Sequence, residues 1–573
     1  MRFAYFTVCQ IGVLLLAQLP SRSLSQVAPV LPSTDFKPPS QQPLPEQSSP
    51  ARLPSVDQLL PSSPVAPGDS NSGVSISLVI NRYEVVGSTV FSQAELEAVT
   101  KAFTTTSLNR PVTFAEMLQA RSAVTQLYID RGYVTSGAVI LPQSINNGVV
   151  TIHAIEGKLE KINVTGTRRL APGYVSSRLA IATKAPLNQN RLLEALQLLQ
   201  LNPLIQSISA DLQASTRSGT NILDVKIVEA KTLTAQIGLD NDRSPSVGSV
   251  RRRVALNQAN LLGFGDDLRV GYTNTNGSNG VDLSYGVPLS PRNTTLSFAF
   301  GTTHSRVIEK PFNVLDISAN SDYSELTLRH PIIQKPTQEL ALGFTLSHQF
   351  NQTFLGVDNI GGFPLAQGAD DRGRTRTTAL RFFQEWSQRS SQQVLALRSQ
   401  FSLGVGAFNA TINPNAPDSR FLAWRGQAQW VRAVAPDTIV LLRGDAQLSD
   451  RPLLGLEQFG LGGAQSVRGY RQDLQLTDSG LFGSAEVRVP ILRIPQVKGL
   501  LQLTPFVEGG RGWNRTGKDP DPNTLAGAGI GLLWRQNNLT ARLSWGIPLI
   551  SVKLERKTWQ ENGVYFSIDW TPF

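Results

Sequence analysis

Cysteine is almost absent from this 573-residue chain. Cys9 is the single example, so neither a disulfide framework nor a thiolate metal site is available. Histidine is scarce: His153, His304, His330 and His348 stand far apart, without the spacings that hold a metal ion. Charged residues make up only 17%, against about 25% in an average soluble domain. With 47 glycines and 35 prolines, that shortfall excludes a helix bundle or coiled coil and favours many short strands and turns. No later segment has the roughly eighteen uninterrupted apolar residues of a membrane helix. There is no Gly-x-x-x-x-Gly-Lys-Ser/Thr loop, no His-Glu-x-x-His pair and no nucleophile–base triad, so neither an enzyme nor a nucleotide, metal or other cofactor is expected. The formal charge of +10 is spread along the chain rather than clustered, which disfavours nucleic acid as a partner.

What is present changes in character along the chain. Met1–Ser25 reads as a secretory signal peptide: Arg2 supplies the positive start, Val8–Leu19 the apolar stretch, and Ser23 and Ser25 the small residues before a cut. That stretch is too short to span a hydrocarbon core of ~30 Å as a helix. Residues 26–73 are dense in Pro, Ser and Gln and read as a linker, because they bury too little apolar surface to offset the entropy of ordering. Val56–Leu60 is a short apolar interruption, read either as one docking turn of helix or as disordered chain, with disorder favoured.

Two α+β modules follow, at 76–157 and 158–230. In the first, Ser92 with Glu95 and Thr113 with Glu116 form capping boxes ahead of two helical patterns, and strands are expected at Val134–Leu141 and Val149–Ile155. The second repeats the order strand, helix, helix, strand, strand, with Leu192, Leu193, Leu196 and Leu199 on the inward face of its second helix.

From Thr232 to Phe573 the helical period stops and strand-length segments alternate in polarity. Sixteen can be counted across 232–573, the even number that a closed antiparallel outer-membrane barrel needs. Leu481, Ala485, Val487 and Val489 share one face of a strand, while Ser484, Glu486 and Arg488 share the other. A soluble sandwich also alternates. Inward faces carrying Arg381, Glu385, Arg398, Arg443, Glu486 and Arg488 suit a wet lumen better. One connection, Arg451–Thr477, is 27 residues long and rich in Gly; structureless loops beyond ~15 residues are usually functional or disordered.

That loop holds Val467-Arg468-Gly469-Tyr470, and the strand expected at 499–514 holds Phe506-Val507-Glu508-Gly509-Gly510. The tetrad resembles the hallmark of the superfamily that joins polypeptide-transport-associated (POTRA) domains to a sixteen-stranded barrel. The second motif is similar to its wall motif Phe-x-Asp-x-Gly, with Glu in place of Asp. Gly137–Gln143 and Ile155-Glu156-Gly157 resemble the first POTRA domain of the two-partner secretion branch, typified by FhaC and ShlB and called TpsB transporters. The resemblance implies two POTRA domains ahead of the barrel, a loop folded back into the lumen, and an Arg468–Glu508 pair between loop and wall, with Phe506, Glu508 and Gly510 on one strand face. It also implies a monomer in outer-membrane lipid with its POTRA domains in the periplasm. Its partner would be a secreted TpsA-like polypeptide, an adhesin or haemolysin, exported unfolded. A barrel-assembly factor of the same superfamily and a passive porin are the alternatives.

Overall fold

A computed structural model describes residues 37–47, 59–60, 77–415, 417–552 and 558–573. The expected signal peptide, Met1–Ser25, lies outside the described residues, as does most of the Pro-rich segment.

The amino-terminal modules share one topology. In the first, Arg82–Val86 runs parallel to Val149–Ile155, which pairs antiparallel with Gly137–Val139. In the second, Lys158–Thr165 runs parallel to Thr220–Glu229, which pairs antiparallel with Ile205–Ala214. Each sheet is covered by two helices, Gln93–Thr100 with Phe114–Asp130, and Pro172–Ala182 with Gln189–Gln200. Both capping boxes form, so orphan N–H groups at the helix starts are satisfied by Ser92 with Glu95 and by Thr113 with Glu116. Met117, Ala120, Val124 and Tyr128 recur at helical spacing and close the first core; Phe114, in the first turn, points outward. Leu192, Leu196 and Leu199 close the second core, with Leu193 only partly buried against it. Glu156 ties the first module together, accepting hydrogen bonds from the Thr89 N–H, the Thr89 hydroxyl and the Tyr128 hydroxyl.

The second core also receives Leu59 and Leu60, 2% and 9% exposed. Disorder was the favoured expectation for this stretch, and here the structure differs. Burying one leucine is worth about 1.5–3 kcal/mol, enough to offset the ~1–2 kcal/mol of backbone entropy and ~0.5–1 kcal/mol of side-chain entropy lost in fixing it.

The barrel strands are β1 Leu233–Asp240, β2 Arg251–Ala259, β3 Asp267–Asn274, β4 Ser278–Pro288, β5 Thr295–Arg306, β6 Ile317–Lys335, β7 Gln338–Leu355 and β8 Arg374–Arg389. They continue as β9 Gln393–Val405, β10 Leu422–Ala435, β11 Thr438–Ser449, β12 Ser479–Ile494, β13 (Gly499–Leu503 with Phe506–Trp513), β14 Thr524–Gln536, β15 Leu539–Pro548 and β16 Val564–Trp570. Each pairs antiparallel with the next, and β16 closes on β1 from Ser567↔Asp240 to Trp570↔Ile237, giving a closed barrel of 16 strands. The break in β13 falls at Thr504-Pro505, where proline has no N–H for the ladder; the register with β12 and β14 runs through it unchanged.

Burial is inverted relative to a soluble protein. Phe300, Phe344, Leu380, Phe401, Leu481 and Trp545 are exposed outward, while Glu325, Gln349, Asn351, Arg381, Gln427 and Glu486 are buried inside. Outward apolar and inward polar residues on alternating positions are what a strand crossing lipid around a polar lumen requires. No described helix is long and apolar enough to cross a membrane.

Candidate functional site

The lumen is substantially filled rather than being an open wet pore. Two pieces of the chain occupy it, and the connection from β11 to β12 is the larger. It is not structureless: Phe459–Leu461 pairs with Gln475–Thr477 as a hairpin that turns into the barrel. Buried Phe459, Leu461, Val467 and Tyr470 pack with Leu525 of β14 in a small apolar cluster against the wall.

Glycines on both sides let the loop backbone approach the wall. Gly469 has φ 106°, in the left-handed region, and a Cβ there would come within 2.9 Å of the Pro548 nitrogen. Opposite it, a Cβ on Gly546 of β15 would lie 2.7 Å from the Gly469 nitrogen, and one on Gly527 of β14 would overlap the Arg468 carbonyl. Gly510 leaves room for Leu461, whose Cδ2 would be 2.8 Å from a Cβ there. The Tyr470 hydroxyl donates toward the Ala526 and Ile550 carbonyls, each 2.8 Å away, and the Tyr565 hydroxyl accepts from the Gly469 N–H at 2.9 Å.

Arg468 is at the centre of this contact. Its Nη2 donates to Glu508 Oε1 at 2.6 Å, its Nε to Glu508 Oε2 at 3.0 Å, and its backbone N–H to Glu508 Oε2 at 2.8 Å. The guanidinium carbon lies 3.4 Å from the centroid of the Phe506 ring, a cation–π stack. Phe506, Glu508 and Gly510 all face the lumen and each meets the loop: one stacks, one binds charge, and one makes room.

Sequence reasoning missed the second partner. Arg468 Nη2 also donates to Glu486 Oε2 at 3.0 Å, and Glu486 Oε1 accepts from Arg488 Nε at 2.9 Å. Glu486 sits at an inward position of β12, and its alternation was visible, but nothing in the sequence joins it to residue 468. Two further anchors were missed as well. Arg381 Nη2 holds Glu457 of the loop at 2.8 Å with both side chains buried. Arg471 Nη2 meets Glu309 at 2.8 Å and its Nη1 meets Glu561 at 3.2 Å, tying the loop to two extracellular connections. Buried charges have to be paired in this way, since an unpartnered ion inside a protein costs several kcal/mol.

The second occupant is Lys37–Gln47, part of the Pro-rich segment expected to be a linker. It descends the lumen without joining any strand: Pro38, Pro39, Pro43 and Pro45 remove four N–H donors. Side chains of the wall hold it instead. Ser40 N–H donates to Glu325 Oε2 at 3.1 Å, Arg425 Nη1 donates to the Gln41 carbonyl at 2.8 Å, and Gln47 N–H donates to Gln429 Oε1 at 2.5 Å. Glu46 accepts from Arg488 Nη1 at 2.6 Å and Nη2 at 3.0 Å, and from Arg542 Nη2 at 3.3 Å. The fork from Arg488 and the nearby charges of Arg542 and Arg535 offset the cost of burying the Glu46 carboxylate. One continuous chain of ion pairs therefore runs Glu508–Arg468–Glu486–Arg488–Glu46, joining loop, wall and amino-terminal segment. The space left between the two occupants is a cavity of about 1040 Å³ whose described lining carries eleven Lys and Arg against five Asp and Glu.

Comparison with known proteins places this arrangement. The family described as haemolysin secretion/activation protein ShlB/FhaC/HecB matches residues 219–533, and the ShlB-type POTRA domain matches residues 78–157. The outer membrane transporter CdiB of Escherichia coli O6:K15:H31 (strain 536 / UPEC) is 24% identical over 82% of this chain and 79% of its own. The heme/hemopexin transporter protein HuxB of Haemophilus influenzae (strain 86-028NP) is 20% identical over 65% of this chain and 66% of its own. The solved structure of CdiB from Escherichia coli superposes with a TM-score of 0.66 at 21% identity, covering 89% of this chain and 94% of that one.

Proposed function

The chain belongs to the ShlB/FhaC/HecB family of haemolysin secretion/activation proteins, and from that premise we propose that it exports one secreted partner polypeptide, captured unfolded by the POTRA pair and passed through the barrel. Members of this family are outer-membrane transporters of a partner protein with periplasmic POTRA domains, and this chain is a transporter rather than an enzyme. The partner we propose is a large adhesin- or haemolysin-like protein. Its capture follows from sheet chemistry: the edge strands Lys158–Thr165 and Ile205–Ala214 each have one side without a neighbour in the sheet, and an extended segment can add there through main-chain hydrogen bonds. Folding of the partner outside the cell supplies the driving force, since no nucleotide site is needed.

The observation that carries the reading is the long loop, seated inside the barrel through Arg468 on Glu508 and Glu486 rather than lying across its mouth. A passive pore has no use for the Val467–Tyr470 tetrad that seats it. In the proposed mechanism Arg468 positions the loop, and the loop shapes the path beside the cavity. An advancing chain displaces Lys37–Gln47, which lies in the same space and is held by side chains alone.

The test is co-expression with candidate secreted proteins encoded beside it. Export of one of them should depend on residues 77–230, and a purified 77–230 fragment should bind the amino-terminal region of that protein only while it is unfolded. Absence of both export and binding would overturn the reading in favour of barrel assembly.

A further inference from the structure

Three arginines converge at the periplasmic end of the lumen. Arg488 lies just past the middle of β12, Arg535 one residue before the end of β14, and Arg542 near the start of β15. Their common partner is Glu46. Arg488 binds it in a two-pronged fork at 2.6 and 3.0 Å, Arg542 approaches at 3.3 Å and Arg535 at 4.0 Å. The wall itself offers these cations little. Glu486 touches Arg488 at 2.9 Å and reaches Arg542 only at 4.0 Å, and Glu486 is already shared with Arg468. For Arg535, Glu46 is the one ion-pair partner among the described residues.

Glu46 is not part of the wall. It arrives on an extended, proline-broken peptide that lies in the space an exported polypeptide would use. We propose that Arg488, Arg535 and Arg542 form a carboxylate-binding site for acidic side chains of the polypeptide in transit, and that Glu46 fills it in the resting protein as an internal substitute. The inference rests on the export reading.

The physical reasoning is a matter of local charge. Removing Glu46 leaves three guanidinium groups around one wall carboxylate that a fourth arginine also claims, and like charges at this range repel. An anion in its place relieves that repulsion. The passing chain is the source already in the lumen, and a guanidinium fork matches a carboxylate with two parallel hydrogen bonds. Elsewhere the wall reads mostly main chain: Arg425 takes the Gln41 carbonyl and Gln429 the Gln47 N–H, which every polypeptide offers, while Glu325 takes both the Ser40 N–H and the Ser40 hydroxyl. The arginine cluster is thus the point on this track where an acidic side chain is read, Asp or Glu, as Glu325 reads a hydroxyl. The cationic excess of the cavity lining acts in the same direction.

The probe is a fluorescein-tagged oligo-glutamate, with a tagged Gly-Ser oligomer of equal length as control, binding to the purified full-length protein in detergent and followed by anisotropy. Glu46→Gln should tighten oligo-glutamate binding about tenfold over wild type, the scale of one charge-assisted hydrogen bond. Adding Arg488→Gln and Arg542→Gln should abolish that gain, and the Gly-Ser oligomer should bind equally to all three. Migration of the unheated barrel on gels confirms that each variant is folded. If Glu46→Gln binds no tighter, or if the gain survives loss of both arginines, the proposal is overturned. Secretion of the partner by wild-type cells is scored separately: normal export without charge-dependent binding sinks the carboxylate site alone, whereas absence of export sinks the export reading.

Discussion

Arg468→Ala is the perturbation with the largest expected consequence for the least change in shape. The side chain is 3% exposed, and its removal strips a cation from Glu508 and Glu486, whose side chains are 0% and 3% exposed. Breaking a buried pair costs about 3–5 kcal/mol. The low end applies here, because Glu508 keeps Arg443 at 3.3 Å and the Ser484 hydroxyl at 3.0 Å, and Glu486 keeps Arg488 at 2.9 Å. Loss of the stack on Phe506 acts in the same direction, so about 3 kcal/mol is the lower bound. The barrel is closed by its strand ladders, so this penalty falls on the equilibrium between docked and undocked loop. At 1.4 kcal/mol per factor of ten, about 3 kcal/mol shifts it roughly a hundredfold. The measurement is maleimide labelling at Val467→Cys, a site fully buried when the loop is docked. The labelling rate should rise roughly a hundredfold in the Arg468→Ala background, with secretion lost and the barrel still inserted. Arg468→Lys should not restore docking, since an ammonium cannot reach two carboxylates and stack on a ring together. Glu508→Gln should be milder and Glu508→Asp tolerated. Unchanged labelling together with normal secretion in Arg468→Ala would refute the argument.

Other outcomes follow from neighbouring features. Gly546→Ala should block loop docking and secretion, because its Cβ would meet the Gly469 nitrogen at 2.7 Å, while Gly483→Ala, with nothing within 4 Å, should secrete normally. Arg381→Ala and Glu457→Ala should each destabilise loop docking by about 3 kcal/mol, and the double variant by less than their sum, as a double-mutant cycle on labelling rates would show. Protease added to intact cells should cut within 361–374 and spare 77–230. In the first POTRA domain, the Arg110 hydrogen bonds and the Thr113 N–H hold Glu116 at about 2. Its stabilising contribution is therefore complete above about 4.5 and is lost as pH falls toward 2, so melting of the 77–230 fragment should hold steady from pH 7 to 5 and drop below that, less steeply in Glu116→Gln.

Local chemistry was legible without a structure. The capping boxes at Ser92 and Thr113, the leucine seam at Leu192, Leu196 and Leu199, and the alternation of sixteen strands each depend on residues a few positions apart, which a linear reading contains. The wall face was legible too, because a period of two puts Phe506, Glu508 and Gly510 on one side regardless of what lies opposite. The meeting of Arg468 with that face was approachable only through the resemblance of two motifs forty residues apart. The remaining contacts of the site could be decided only by the tertiary structure. Glu486 as the second partner of Arg468, Glu457 on Arg381 and Arg471 between Glu309 and Glu561 join positions that share no period, and closure of the barrel alone brings them within reach. The Pro-rich segment shows the difference most sharply. Its composition forbids a strand or a core of its own, and that much its sequence determined. That Leu59 packs under the second POTRA domain and Glu46 reaches Arg488, 442 positions away, follows from pockets made by other parts of the chain. A peptide with no fold of its own takes its place from whatever surface offers the apolar cover and the opposite charge it lacks.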